Sequence, residues 1–310
     1  MKVTEPLEIT TEMLVSTSLA EQSPGEPGLW VSGTDYALGQ RVRRTTTHRI
    51  YSKLKDGGDA AKLPENSVDD LWFDEGPTNQ WAMFQLDRNT ASTSASPITV
   101  KVAPGTRATT IGLFGVVGQT ATVTVRKSGE AVYTATTNMF RRTTTRWSQY
   151  FWDGFLTAQI STAIHYDLPP IAGAEIEVTI GGGDGPFAIS AVVLGKSHYI
   201  GGVEYNPIDS ATNFSRMERT FDGNLEKSAM IARRSVPRVT LTVHTDKELV
   251  PAVRRLRERL NAKVAIYSGL DDQHDDPYFE PVLKLGFYRQ WDIELVAYSF
   301  AKQTMEIEEI

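Results

Sequence analysis

The stretch "WFDEGPTNQWAMFQLD" (72–87) brings two tryptophans, an acidic pair and a Gly-Pro-Thr-Asn turn signal together. Acids beside aromatics are the raw material of glycoside hydrolysis. That chemistry needs two carboxyl groups converging across a sugar, about 5–5.5 Å apart for retention or about 6.5–9.5 Å for inversion. Asp74 and Glu75 are adjacent, so on a strand they point to opposite faces. A partner such as Asp69, Asp70 or Asp153 would have to be brought in by the fold. A second candidate, "SGLDDQHDDPYFE" (268–280), gathers four aspartates around His274. It lacks the D-x-[DN]-x-[DN]-G loop with its later glutamate and reads as an acidic solvent loop. The histidines at 48, 165, 198, 244 and 274 show no paired zinc spacing. With no cysteine in the chain there is no thiolate ligand, disulfide framework or cysteine nucleophile. Neither a G-x-S-x-G elbow nor a Walker-type loop is present, and "IGGGDGP" (180–186), with no helix after it, reads as a hairpin turn. No catalytic residue, metal or cofactor is expected.

Aromatic spacing offers different chemistry. In "LWVSGTDYALGQRVRRTTTHRIY" (29–51), the order Trp30, Tyr36, Gly39, Val42, Tyr51 resembles the small chitin-binding modules. That resemblance implies an exposed platform of Trp30, Tyr36 and Tyr51 stacking on the apolar face of a sugar ring. The alternative is that these aromatics pin a small β-meander, residues 29–55, onto a larger domain. For the 72–87 corner, Trp81 and Met83 on one face with Ala82 and Phe84 on the other, followed by Leu86, predict a strand buried on both sides.

The elements that would position these residues are mostly strands. "PITVKVAPG" (97–105), "TATVTVRKSG" (120–129), "AEIEVTIGGG" (174–183), "RVTLTVHTD" (238–246) and "WDIELVAYS" (291–299) alternate apolar with polar or threonine positions, the pattern of half-buried strands. The longest uncharged run, 108–125, is broken by Gly, Thr and Gln and reads as two strands around Gly118, not as a membrane span. One segment differs: in "DKELVPAVRRLRERLNAK" (246–263), Leu249, Val253, Leu256 and Leu260 recur at helical spacing, with Pro251 in the first turn. A single amphipathic helix over 246–261 follows, and Arg254, Arg255, Arg257 and Arg259 on its polar face are candidates for an assembly contact with an acidic partner.

A length of 310 residues suits two domains. We read an N-terminal arm (1–28), rich in Glu, Ser, Pro and Gly, which carries acids where a signal peptide needs an apolar run. A β-sandwich domain (29–195) follows, then a β domain with the helix (196–310). The fold class is therefore mainly β, with two β-sandwich-like domains. A formal charge of −6 argues against a protein that works by blanketing nucleic-acid phosphates, though it leaves room for a local basic patch.

The order of segments carries a second resemblance. "LWVSGTDYALGQRV", "HRIYSKLKDGG", "GPTNQWAMFQLD", "KSHYIGGVEYNPIDSATNFSRMERTFDGN" and the closing "LKLGFYRQWDIELVAYSFAKQTMEIEEI" are together similar to virion proteins encoded among the tail genes of long-tailed bacteriophages. Some of these are distal tail proteins, whose β-sandwich with a helix forms a ring. The resemblance implies a structural subunit of a phage tail tip or baseplate, made in the host cytoplasm and built into the virion. It also implies a homo-oligomeric ring or hub joining the tail tube to receptor-binding or fibre proteins. Its partners would be copies of itself, other tail and baseplate proteins and, through the aromatic module, a cell-surface glycan. Here the helix-bearing domain comes last, a departure from the distal-tail order.

Overall fold

The computed structural model describes residues 1–58, 60–86, 90–142, 146–152, 157–204, 206–212, 216–219, 221–222, 225–229, 236–261, 263–270 and 278–310. The chain is mainly β, as its period-two patterning requires. It divides into a continuous unit, Leu7–Leu194, and a discontinuous one made of Met1–Pro6 with Gly195–Ile310. The division falls inside the strand Ala191–Tyr199.

This overturns the N-terminal arm. Lys2–Pro6 is a strand hydrogen-bonded on both sides, running Lys2↔Tyr199 to Pro6↔Gly195 on one flank and Lys2↔Ser268 to Thr4↔Ile266 on the other. Val3 is fully buried, and Glu5 holds Arg259 Nε at 2.9 Å. Residues 1–28 also supply the strand Leu14–Thr17, paired with Ile98–Val102.

The continuous unit is a sandwich. Its five-stranded antiparallel sheet has the order Glu130–Asn138, Thr120–Lys127, Glu175–Gly181, Ile98–Val102, Leu14–Thr17. Val178 lies opposite both Val100 and Val123, so the alternating apolar positions line one face. Across the core stand Ile111 and Leu113 of Thr110–Phe114, Ala163 of Thr162–His165, and Val192 and Leu194. The sheet's outer face is polar: Arg126 Nε meets Glu177 at 2.7 Å, and Lys101 Nζ approaches Glu175 and Glu177 at 3.8 Å. "IGGGDGP" is not a hairpin turn. It carries the chain from Glu175–Gly181 to Phe187–Ile189, which pairs with Ser92–Ser94 in a different sheet, and Gly182 and Gly183 take the left-handed φ of 78° and 81°.

The discontinuous unit orders its antiparallel strands as Ala191–Tyr199, Lys2–Pro6, Ala265–Ser268, Leu283–Glu294, Phe300–Glu309 and Val236–Asp246. Against them lies the helix Val250–Leu260, with Val253, Leu256 and Leu260 buried among Val3, Leu241, Tyr267 and Met305. It starts at Val250, just before Pro251 as the proline requires, and not at 246, because Asp246 still pairs with Phe300 as a strand residue. Close approach of two strands demands a glycine at 286, where a Cβ would run into the Glu308 carbonyl. The strand expected at 291–299 ends at Glu294, and the connection that follows leaves Leu295 and Tyr298 exposed.

Candidate functional site

The aromatic residues converge on a small three-stranded sheet, Arg41–Arg44, Arg49–Lys53 and Trp72–Pro77. Its register places Val42 opposite Tyr51, Tyr51 opposite Asp74, and Lys53 opposite Trp72. Val42, Tyr51 and Trp72 form the core of this sheet, with Trp30, Tyr36 and Leu71 packed against them. Tyr36 meets Trp72 edge-on at 5.5 Å, and its hydroxyl accepts the Val31 N–H at 2.8 Å. The Arg44 guanidinium covers Trp30 at 4.9 Å, and Lys53 Nζ covers Trp72 at 4.9 Å.

Tyr51 is thereby removed from the expected sugar platform. It is 2% exposed and donates its hydroxyl to Thr47 Oγ1 at 3.2 Å. Burial pushes the phenol's pKa above its ordinary value. Trp30 and Tyr36 keep part of their surface exposed, but their rings already pack on Arg44 and Trp72. The meander extends beyond 29–55 to include Trp72–Pro77.

The acidic pair closes on arginines rather than on a cleft. Asp74 meets Arg49 Nε at 2.6 Å and accepts the Gly76 N–H at 3.0 Å, while Glu75 meets Arg41 Nε at 2.6 Å. Asp70 lies beside Lys55 and Lys62, at 3.3 and 3.8 Å. Asp153 lies outside the described residues. The strand expected from Trp81 to Leu86 is instead a turn of 3₁₀ helix, Ala82–Phe84. The Thr78 carbonyl accepts both the Trp81 and the Ala82 N–H, at 3.0 and 2.9 Å, and this winds the chain out of an extended path. Trp81 then stacks on His48 at 4.0 Å, in a pocket where Thr11 Oγ1 is 2.9 Å and Glu21 3.5 Å from the imidazole. Burial lowers the His48 pKa, and the nearby Glu21 carboxylate partly offsets it.

On the helix, the four arginines do not form one free face. Arg257 Nη1 donates to the Trp291 carbonyl at 2.9 Å. Arg259 engages Glu5 and lies 3.3 Å from His198 Nε2, while Arg254 meets Glu258 at 3.3 Å along the helix. Arg255 is exposed. The aspartates at 271, 272, 275 and 276, with His274, lie outside the described residues. Among the described residues no cluster of three or more His, Asp or Glu is arranged to hold a metal. A cleft of about 610 Å³ in the discontinuous unit is lined by Val203, Glu204, Asp209, Leu270, Tyr278 and Val282. Its two acids are met by lysines, Glu204 by Lys302 at 2.9 Å and Asp209 by Lys284 at 3.6 Å.

Sequence reasoning passed over the short helix Trp147–Trp152, "WSQYFW", between the paired strands Phe140–Arg142 and Thr157–Gln159. Trp147, Phe151 and Trp152 on it are 79%, 68% and 86% exposed. The signal was available: six of the sixteen residues from 140 to 155 are aromatic, in a chain that is 9% aromatic.

No family model matches this sequence, and neither does any curated protein. Among solved structures, an F5/8 type C domain of a Bacteroides fragilis protein is similar at 14% identity, with 39% of this chain and 82% of that chain covered and a TM-score of 0.25. At that score neither fold nor function passes from it to this chain.

Proposed function

We propose that the protein is a structural subunit of a phage tail tip or baseplate, self-associating into a ring or hub between the tail tube and the receptor-binding or fibre proteins. The reading rests on the resemblance of the sequence segments, in their order, to tail-gene virion proteins, and one structural observation supports its assembly step. Among the described residues, the strand Glu130–Asn138 ends the five-stranded sheet with one neighbour, Thr120–Lys127. It is nine residues long, "EAVYTATTN", and Glu130 at its start is its sole charge; it holds neither lysine nor proline. Soluble monomers blunt such edges with charges, prolines or short strands, because an open row of N–H and C=O groups templates pairing with another chain. Here the edge is left suited to β-strand addition. If the strand it meets lies on a different face of the next copy, the contact is head-to-tail and closes into a ring when its rotation allows. Catalysis has no part in this role.

Light scattering on a size-exclusion column and negative-stain microscopy test the reading. A discrete ring is expected, and Thr134→Lys with Thr136→Lys should reduce it to monomers of unchanged melting temperature. A clean monomer, both alone and mixed with neighbouring tail proteins, counts against it.

A further inference from the structure

We propose that the hairpin formed by Phe140–Arg142 and Thr157–Gln159, tipped by the helix Trp147–Trp152, is a peripheral membrane contact that seats on a bilayer surface bearing anionic headgroups. This is independent of the assembly reading. Three aromatic rings project from a six-residue helix, Trp147, Phe151 and Trp152, each more than two-thirds exposed. Trp147 and Phe151, one turn apart, stack with centroids 6.0 Å apart and form a single apolar surface. A helix of this length is about 9 Å long, too short to span a bilayer but suited to lie within the interface. Tryptophan favours that layer because its ring is apolar while its N–H still reaches water or a headgroup.

Charge selects the kind of bilayer. Between Glu130 and Asp153 the sequence holds Arg141, Arg142 and Arg146 and no acid, within a chain of formal charge −6. Arg146 is exposed at the start of the helix, beside Trp147. Aromatic rings on the helix and the exposed Arg146 beside them match an apolar layer under negative headgroups. A sugar site needs hydroxyl-binding groups next to its stacking ring. The polar side chains described on this helix are Ser148 and Gln149, and Gln149 Oε1 is taken by the Arg146 N–H at 3.2 Å.

Vesicle flotation of the full chain tests this. Binding to vesicles of phosphatidylglycerol and phosphatidylcholine is expected to exceed binding to pure phosphatidylcholine, and to fall in high salt. Trp147→Ser, Phe151→Ser and Trp152→Ser combined should lower the bound fraction at least about tenfold, and Arg146→Gln should lower it up to about fivefold on anionic vesicles. Because a triple variant could also lose its fold, the unmodified protein supplies a second readout: brominated lipid should quench part of its tryptophan emission. Two results would overturn the proposal. The first is no flotation together with no quenching. The second is a folded triple variant that floats like the parent.

Discussion

Replacing Trp72 by alanine separates a core role for the small sheet's aromatics from a ligand-binding one. Trp72 is 2% exposed, and truncating a buried Trp or Phe to Ala costs about 3–5 kcal/mol. The change also removes the edge-on contact of Tyr36, whose geometry is worth about 0.5–1.5 kcal/mol beyond burial. Lys53, itself buried, loses the ring 4.9 Å from its ammonium. These terms overlap, so the expected loss is about 4–5 kcal/mol, against the about 5–15 kcal/mol that holds a typical domain. Such a loss opens the small sheet before the sandwich, whose core is formed by other residues. Urea unfolding followed by circular dichroism measures the first effect. Limited trypsin digestion measures the second, with early cuts expected at Arg41, Arg44, Arg49 and Lys55. Trp30→Ala, at a half-buried ring, should cost only about 1–2 kcal/mol. If Trp72→Ala stays within about 1 kcal/mol of the parent and yet weakens retention on immobilised glycan, the ring is a ligand platform and the core assignment is wrong.

Two further outcomes follow from the geometry. Gly286→Ala drives a Cβ into the Glu308 carbonyl between two central strands, so it should cost about 3 kcal/mol or more and lower the melting temperature of the discontinuous unit. His48 and His198 both have pKa values lowered from 6.5, first by burial; Glu21 opposes the shift at His48, while Arg259 and Lys196 add to it at His198. At pH values below 6.5 the unfolded chain therefore binds more protons than the folded one, and stability falls as the pH drops. Melting temperatures between pH 7.5 and 5.5 should decline in the parent and decline less in His48→Gln with His198→Gln; equal slopes would refute this.

Much of the sandwich was legible because its strands bury one face. In "PITVKV" and "AEIEVTI" the apolar positions alternate with Thr, Lys and Glu, and those are the residues that pair across the polar face. "KVTEP" was not legible. Five residues with two buried side chains, Val3 and Thr4, cannot announce partners near 195–199 and 266–268, since that information lies in distant segments. Aromatic spacing placed Trp30, Tyr36 and Tyr51 together but gave no inward or outward sense. The register with Trp72–Pro77 decides that, and it sends Tyr51 inward. The stretch from Trp81 to Leu86 alternates like a strand, yet the Thr78 carbonyl winds it into a helical turn.

The nesting of one unit inside the other sets a timetable for synthesis. Lys2–Pro6 leaves the ribosome long before its partners in Ala191–Tyr199 and Ala265–Ser268. At about 5–20 residues per second, the first of them arrives roughly 10–40 s later. Over that interval Leu7–Leu194 can complete its own core, while Lys2–Pro6 waits for the strands that flank it. Pro6 and Gly195 end as direct neighbours, so the folded insert must hand back its two ends side by side. Phe300–Glu309, made after both, lies between Leu283–Glu294 and Val236–Asp246, and until it is finished Val236–Asp246 lacks the strand that joins it to Leu283–Glu294.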